Sequence, residues 1–172
     1  MKQLSFLPLK IAVMVVSDTR TEQTDKSGKN LITFLTDAGH FLAEKCIVPD
    51  DIYEIRAVIS RWIVDPNVDI VISTGGTGIT GRDGTFEAVL PLFDKLIEGF
   101  GEIFRWLSYN EISTSTIQSR VTAGVVNGKY IFCLPGSASA CKTGWEKIIV
   151  KQLDIRTKPC NLAELIPRLK EK

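Results

Sequence analysis

Between Lys10 and Ser17 the chain runs through six consecutive apolar residues, Ile11-Ala12-Val13-Met14-Val15-Val16. A short apolar run bounded by polar residues predicts a strand buried on both faces, here over 10–17. A polar loop from Asp18 to Lys26 follows. Leu31, Phe34, Leu35 and Ala38 then recur at helical spacing, predicting a helix over 27–38 with Ser27 as its N-cap and Gly39 at its end. Residues 41–48 return to a strand pattern. Pro49-Asp50-Asp51 open a second helix with the apolar stripe Ile52, Ile55, Val58, Ile59, Trp62 and Ile63. Val68 to Ser73 predicts a third strand, residues 85–112 read as helices, and a last long helix covers about 138–153 before a tail with Pro159 and Pro167. Asn127-Gly128, set between VTAGVV and YIFCL, is a two-residue hairpin signal.

This alternation predicts an α/β fold: a three-layer sandwich with a mostly parallel sheet flanked by helices and one antiparallel hairpin. No repeat or low-complexity linker interrupts it, so residues 1–172 read as a single domain. At 172 residues such a chain buries roughly 70% of its unfolded surface.

Composition narrows the chemistry. The net charge is +1 and no long run of like charge occurs, which argues against a nucleic-acid groove or a membrane-binding face. Arg168 and Lys170 alternate with apolar residues as on a solvated helix face. The six-residue apolar run is too short for a signal segment, so the expected location is the cytoplasm. The four cysteines include no C-x-x-C pair. The single histidine, His40, follows Gly39 at a helix end and is expected at the surface. Zinc sites and histidine-based triads are thereby disfavoured. Cys141, at the start of the last helix, reads as packing filler ahead of an activated thiol.

The segment "STGGTGITGRD" (73–83) carries a literal G-x-G-x-x-G in Gly76, Gly78 and Gly81. A dinucleotide reading fits poorly. Two βα units precede the segment, Gly81 is followed by Arg82-Asp83-Gly84 rather than by a helix, and no later strand supplies the ribose-binding acid. A P-loop fails as well, because no Lys-Ser/Thr follows. In parallel sheets ligands bind beyond the carboxyl ends of the strands. Four loops are expected there: Ser17-Asp18, Pro49-Asp50, Gly75 to Asp83, and Pro135-Gly136-Ser137. Gly75, Gly76 and Gly78 can turn their amides inward as a phosphate nest, with Thr77 adding a hydroxyl. Asp83 would repel bare phosphate, but fits if Mg²⁺ bridges carboxylate and phosphate oxygens, with Asp50 as a second carboxylate. Lys142 could neutralise further charge, and Arg82 could reach a phosphate or serve the surface. The alternative for this loop is a tight turn followed by an N-cap aspartate.

Four ordered motifs, "STGGTGITGRD", "EGFGEIFRWLS", "STIQSR" and "LPGS", resemble the MoaB/MogA family of molybdenum cofactor biosynthesis proteins from about Lys10 to Asp154. "STSTIQSR" and "DIRTKPCN" look like the MoaB branch. The resemblance implies adenylylation of molybdopterin, its terminal phosphate attacking the α-phosphate of MgATP to give adenylylated molybdopterin and pyrophosphate. ATP is then co-substrate, Mg²⁺ the cofactor, and molybdopterin the substrate. It implies that Asp50 and Asp83 are the essential acids and metal ligands. Ser17, Glu102, Ser119 and Pro135-Gly136 match its further binding motifs. Two residues depart from the pattern: Phe86 and Ala138 stand where many members have proline. The resemblance also implies trimers or hexamers and partnership with other molybdenum cofactor biosynthesis proteins. Phe100, Ile103, Phe104 and Leu107 should face the core, leaving Trp106 and Tyr109 for a subunit interface. The alternative function is a non-catalytic molybdopterin-binding or assembly relative.

Overall fold

The computed structural model describes residues 5–171. Its strands are β1 (Lys10–Val16), β2 (Phe41–Val48), β3 (Ile70–Thr74), β4 (Lys95–Leu96), β5 (Thr122–Val126) and β6 (Lys129–Leu134). They form one sheet in the order β2-β1-β3-β6-β5-β4. The first four are parallel, β5 returns antiparallel to β6, and β4 pairs antiparallel with β5. The hairpin turn places Asn127 and Gly128 at φ 47° and 76°, the left-handed pair that a two-residue turn requires.

The helices are α1 (Ser27–Asp37), α2 (Ile52–Val64), α3 (Thr85–Val89), α4 (Glu98–Ile112) and α5 (Ala138–Gly144), the last continuing through a π-helical turn (Trp145–Ile149) into α6 (Val150–Gln152). α1, α4 and α5 bury Leu31, Leu35, Phe100, Phe104 and Trp145 against one face of the sheet. α2 and α3 bury Ile55, Ile59, Trp62 and Val89 against the other. β1 and β3 are therefore covered on both sides, which is why their sequences are continuously apolar. This is the three-layer sandwich that the alternation predicts.

Four local expectations are corrected. Residues 85–112 are not all helical: Pro91 lies in a short 3-10 turn that ends at Leu92, and the chain then pairs with β5 as β4. Two residues are too few for a strand period to register in the sequence. Ser27 does not cap α1; Asp25 accepts from the Gly28 amide at 2.8 Å, while Ser27 Oγ donates to the Gly136 carbonyl at 2.8 Å. Ile103 does not face the core. α4 packs through Phe100, Gly101, Phe104 and Ser108, which leaves Ile103 52% exposed on the flank shared with Trp106.

His40 is buried rather than at the surface, 3% exposed. Its Nδ1 accepts from the Leu9 amide at 3.2 Å, and its ring lies between Phe6 and Trp145. The N-terminal segment that covers it is remote in sequence, so helix-end position gave no sign of it. Burial holds the His40 pKa below the usual imidazole value, opposed only in part by Asp154. The unfolded chain thus takes up a proton that the folded chain refuses. His40 stability is complete above the unfolded pKa of about 6.5 and drains away as pH falls toward the folded one. In denaturant titrations from about pH 7.5 to about pH 5, the wild type is expected to lose more stability than His40→Asn, which has no ring proton to gain. Parallel pH dependences would remove His40 from this account.

Candidate functional site

Three parallel strand ends meet at Gly75. β3 delivers the chain into a turn with Gly75 at φ +104° and Gly76 at φ +65°. A Cβ on Gly75 would stand 2.1 Å from the Val16 carbonyl oxygen at the end of β1, so the position admits only glycine. Gly75 N–H donates to the Leu134 carbonyl at the end of β6 (3.0 Å), and Thr74 Oγ1 donates to the Pro135 carbonyl (2.8 Å). From the other side, Thr85 donates through Oγ1 to the Gly75 carbonyl (2.8 Å) and through N–H to the Gly76 carbonyl (3.0 Å). Among the described residues the Gly76 and Thr77 amides have no protein partner.

A cleft of about 430 Å³ opens beside this turn. Gly75, Gly76, Thr77, Gly78 and Asp83 line one side and Pro135, Gly136 and Ser137 another, with Ser108 and Glu111 of α4 opposite. Ser119 also lines it, and its buried Oγ has no hydrogen-bond partner. Buried hydroxyls without partners are rare in folded proteins, and one in a cleft wall points to a ligand oxygen or a water.

The two acids lie on either side of the loop. Asp50 Oδ1 accepts from the Gly84 amide at 2.9 Å, and a Cβ on Gly76 would stand 2.9 Å from its Oδ2. Burial raises the Asp50 pKa, and the Asp83 and Asp18 carboxylates push the same way, against the Gly84 amide. Asp83 is also pushed up by burial, but the Thr80 hydroxyl (2.6 Å), the Thr80 and Gly78 amides and Arg120 outweigh it and hold its pKa below the usual value. Neither acid caps a helix. Asp51 caps α2 by accepting from Tyr53 and Glu54, and α3 starts after Gly84 with no side-chain cap. The N-cap aspartate expected of this loop is thereby absent from the start of α3; within the turn Asp83 accepts instead from the Thr80 amide and hydroxyl.

The remaining predicted residues divide. Ser17 Oγ accepts from the Thr19 and Arg20 amides, folding the loop after β1. Asp18 accepts from the Asp50 amide (3.0 Å) and forms a two-pronged pair with Arg82 (2.7 and 3.0 Å), which lowers its pKa. Ser137 Oγ accepts from the Ala140 amide (3.2 Å) at the start of α5. Glu102 lies in a second cleft with Arg105 and Val121, and Ser119 lines both clefts. Lys142 is mostly exposed, 4.0 Å from Glu146, and is not among the residues lining the cleft. Cys141 is buried against Thr74, and burial pushes its thiol up to about 11, which removes it as a nucleophile.

Residues 12–155 match the family described as "Probable molybdopterin binding domain". The chain is 52% identical over 163 residues to Molybdenum cofactor biosynthesis protein B of Escherichia coli K12, covering 94% of this chain and 96% of that one. The chain belongs to the MoaB/MogA family. Its fold superposes on a crystal structure of Molybdenum cofactor biosynthesis protein B with a TM-score of 0.88 at 38% identity, over 98% of this chain and 100% of the other. The tungsten cofactor synthesizing protein MoaB from Pyrococcus furiosus superposes with a TM-score of 0.78 at 37% identity, over 95% and 98%.

Within this MoaB/MogA fold, three side chains of the site carry no signal that sequence reading picked out. Arg120 donates from its backbone to the Thr77 carbonyl (2.9 Å), from Nε to the Gly78 carbonyl (2.7 Å) and from Nη2 to the Asp83 carbonyl (2.7 Å). It also pairs with Glu87 and lies 5.4 Å from the Phe86 ring centroid. Its place directly after Ser119 was the available clue. Glu111 and Thr143 join at 2.9 Å across the cleft wall from two helices distant in sequence, and had none.

Among the described residues no three His, Cys, Asp or Glu side chains gather into a self-sufficient metal cage. Asp50 lies against Gly76 and Asp83 against Gly78, so two carboxylates flank the turn, the number that with substrate phosphates and waters usually holds Mg²⁺.

The glycines differ sharply in tolerance. A Cβ on Gly76 would meet Thr85 Oγ1 at 2.4 Å, one on Gly78 would meet Asp83 Oδ2 at 2.6 Å, and one on Gly81 would meet nothing within 4 Å. Gly81→Ala is therefore expected to melt within about 2 °C of the wild type, whereas Gly76→Ala, strained at positive φ, should lose on the order of 1 kcal/mol or more. Thermal melts of the two variants check this, and equal losses would contradict it.

Proposed function

We propose that this chain carries out Mg²⁺-dependent adenylylation of molybdopterin by ATP. A terminal phosphate oxygen of molybdopterin attacks the α-phosphorus of ATP. The bond from that phosphorus to the oxygen bridging it to the β-phosphate breaks, and pyrophosphate leaves. The observation that carries the reading is the convergence on one cleft of two unpaired amides, the orphaned Ser119 hydroxyl and the Asp83 loop, with Asp50 immediately behind. Phosphoryl-type transfer needs positioning and charge stabilisation more than covalent help, and those groups supply both.

On this reading the Gly76 and Thr77 amides and Ser119 Oγ bind phosphate oxygens. Asp50 and Asp83 hold Mg²⁺, which when bound neutralises phosphate charge. Thr80 and the Gly78 amide keep Asp83 ionised, and the Gly84 amide orients Asp50. The name of the Escherichia coli relative, Molybdenum cofactor biosynthesis protein B, supports the coarser part of this reading, a role in molybdenum cofactor biosynthesis. A second reading, molybdopterin binding without transfer, draws on Asp83 itself, whose carboxylate already satisfies internal donors.

Incubation with molybdopterin and MgATP is expected to release pyrophosphate. Asp83→Asn should slow that release by roughly 100-fold, the loss of ~3 kcal/mol of charge stabilisation, with molybdopterin affinity held within a few-fold. No ATP-dependent release from the wild type would leave the binding-only reading in place.

We also infer that the chain assembles as trimers, alone or paired as hexamers. Trp106 (70% exposed) and Tyr109 (55% exposed) stand on the flank of α4 beside Ile103, a larger apolar surface than scattered single residues make. Sedimentation of the wild type should give a multiple of the chain mass, and Trp106→Glu should reduce it. A wild-type monomer at micromolar concentration would reject the assembly.

A further inference from the structure

Arg120 touches neither acid through its own side chain, yet three carbonyls of the glycine loop turn toward it: Thr77 (from its backbone N–H), Gly78 and Asp83 (from its guanidinium). These peptides are trans, and in a planar trans peptide the carbonyl and the next residue's N–H point in opposite directions. Drawing the Asp83 carbonyl toward Arg120 turns out the Gly84 amide, which donates to Asp50 Oδ1 at 2.9 Å. Asp50 is thus held by an amide whose peptide is fixed from behind by the Arg120 guanidinium.

We propose that Arg120 is a positioning residue of this site, setting Asp50 through the Asp83–Gly84 peptide plane of the glycine loop. Its fork is well matched to the task. A guanidinium presents several donors in a fixed plane, so it can hold two carbonyls and a carboxylate at once, whereas a lysine ammonium is a point charge on a flexible stem. Glu87 and the Phe86 ring, both on α3, hold the guanidinium plane in place. The functional part of this inference rests on the role given above to Asp50; the positional part does not.

Two measurements separate the parts. In Arg120→Gln, amide hydrogen exchange at Gly84, read by NMR, is expected to speed up by about 10-fold or more, with the β3 amides unchanged. Arg120→Lys should recover part of that protection, and Glu87→Gln should show a smaller loss of the same sign while leaving Arg120 present. Unchanged protection at Gly84 in folded Arg120→Gln overturns the proposal, whatever the ligand data. MgATP binding by calorimetry is the second measurement. Arg120→Gln is expected to weaken it by about 10-fold in the wild-type background and by no more than about two-fold in Asp50→Asn, because a residue acting through Asp50 has nothing left to position. Equal losses in both backgrounds overturn it. A wild type that binds no MgATP overturns the adenylylation reading alone, and the exchange data then decide the role of Arg120.

Discussion

Gly75 sits where the ends of β1, β3 and β6 come within one backbone thickness of each other. Its amide is spent on the Leu134 carbonyl, its carbonyl on Thr85, and the space a side chain would need is filled by the Val16 carbonyl. Beyond those three contacts Gly76 takes a positive φ, and among the described residues its amide and that of Thr77, both residues of the cleft lining, have no protein partner. The geometry of the site is thus a consequence of how a parallel sheet ends, and the cleft lies where such sheets place ligands. Turn, cleft and loop after β6 share hydrogen bonds, as Thr74 to Pro135 and Ser27 to Gly136 make plain.

Around that turn the charges are arranged in opposition. Asp18, Asp50, Asp83 and Glu87 crowd one end of the sheet, and Arg82 and Arg120 are placed among them. The acids are treated unequally. Asp18 and Glu87 have arginine partners and stay low, Asp83 is held low by Thr80 and neighbouring amides, and Asp50 alone is raised, partly buried with two carboxylates nearby. A cation arriving with phosphate would relieve Asp50 most. Arg82 is exposed and already engaged with Asp18, whereas Arg120 is half-buried and tied to backbone, so the two arginines have different work.

Much of this was legible in the chain. The buried strands announced themselves as apolar runs, Asn127-Gly128 marked the hairpin, and the loops ending β1, β2, β3 and β6 were recognisable from their small and acidic residues at strand ends. What escaped reading depended on contacts between distant segments. His40 is buried by Phe6 and Leu9, and Glu111 gains meaning only when α5 brings Thr143 to it. Arg120 acts on a loop some forty residues earlier, as the bond to Gly78 shows. Ile103 and the two-residue β4 failed for local reasons: a helix flank one position off the stripe, and a strand shorter than any period. Glu102 and Lys142 were near the right elements, but neither is among the residues lining the cleft.

The account stands on phosphate being received by the backbone of the glycine turn. A crystal structure with a non-hydrolysable MgATP analogue tests it most directly. Phosphate oxygens should lie within hydrogen-bond distance of the Gly76 and Thr77 amides, with Ser119 Oγ acquiring a partner and the metal touching Asp50 or Asp83. An analogue whose phosphates bind instead along the Glu102 cleft or beside Lys142, leaving those amides and Ser119 as they are, would contradict it.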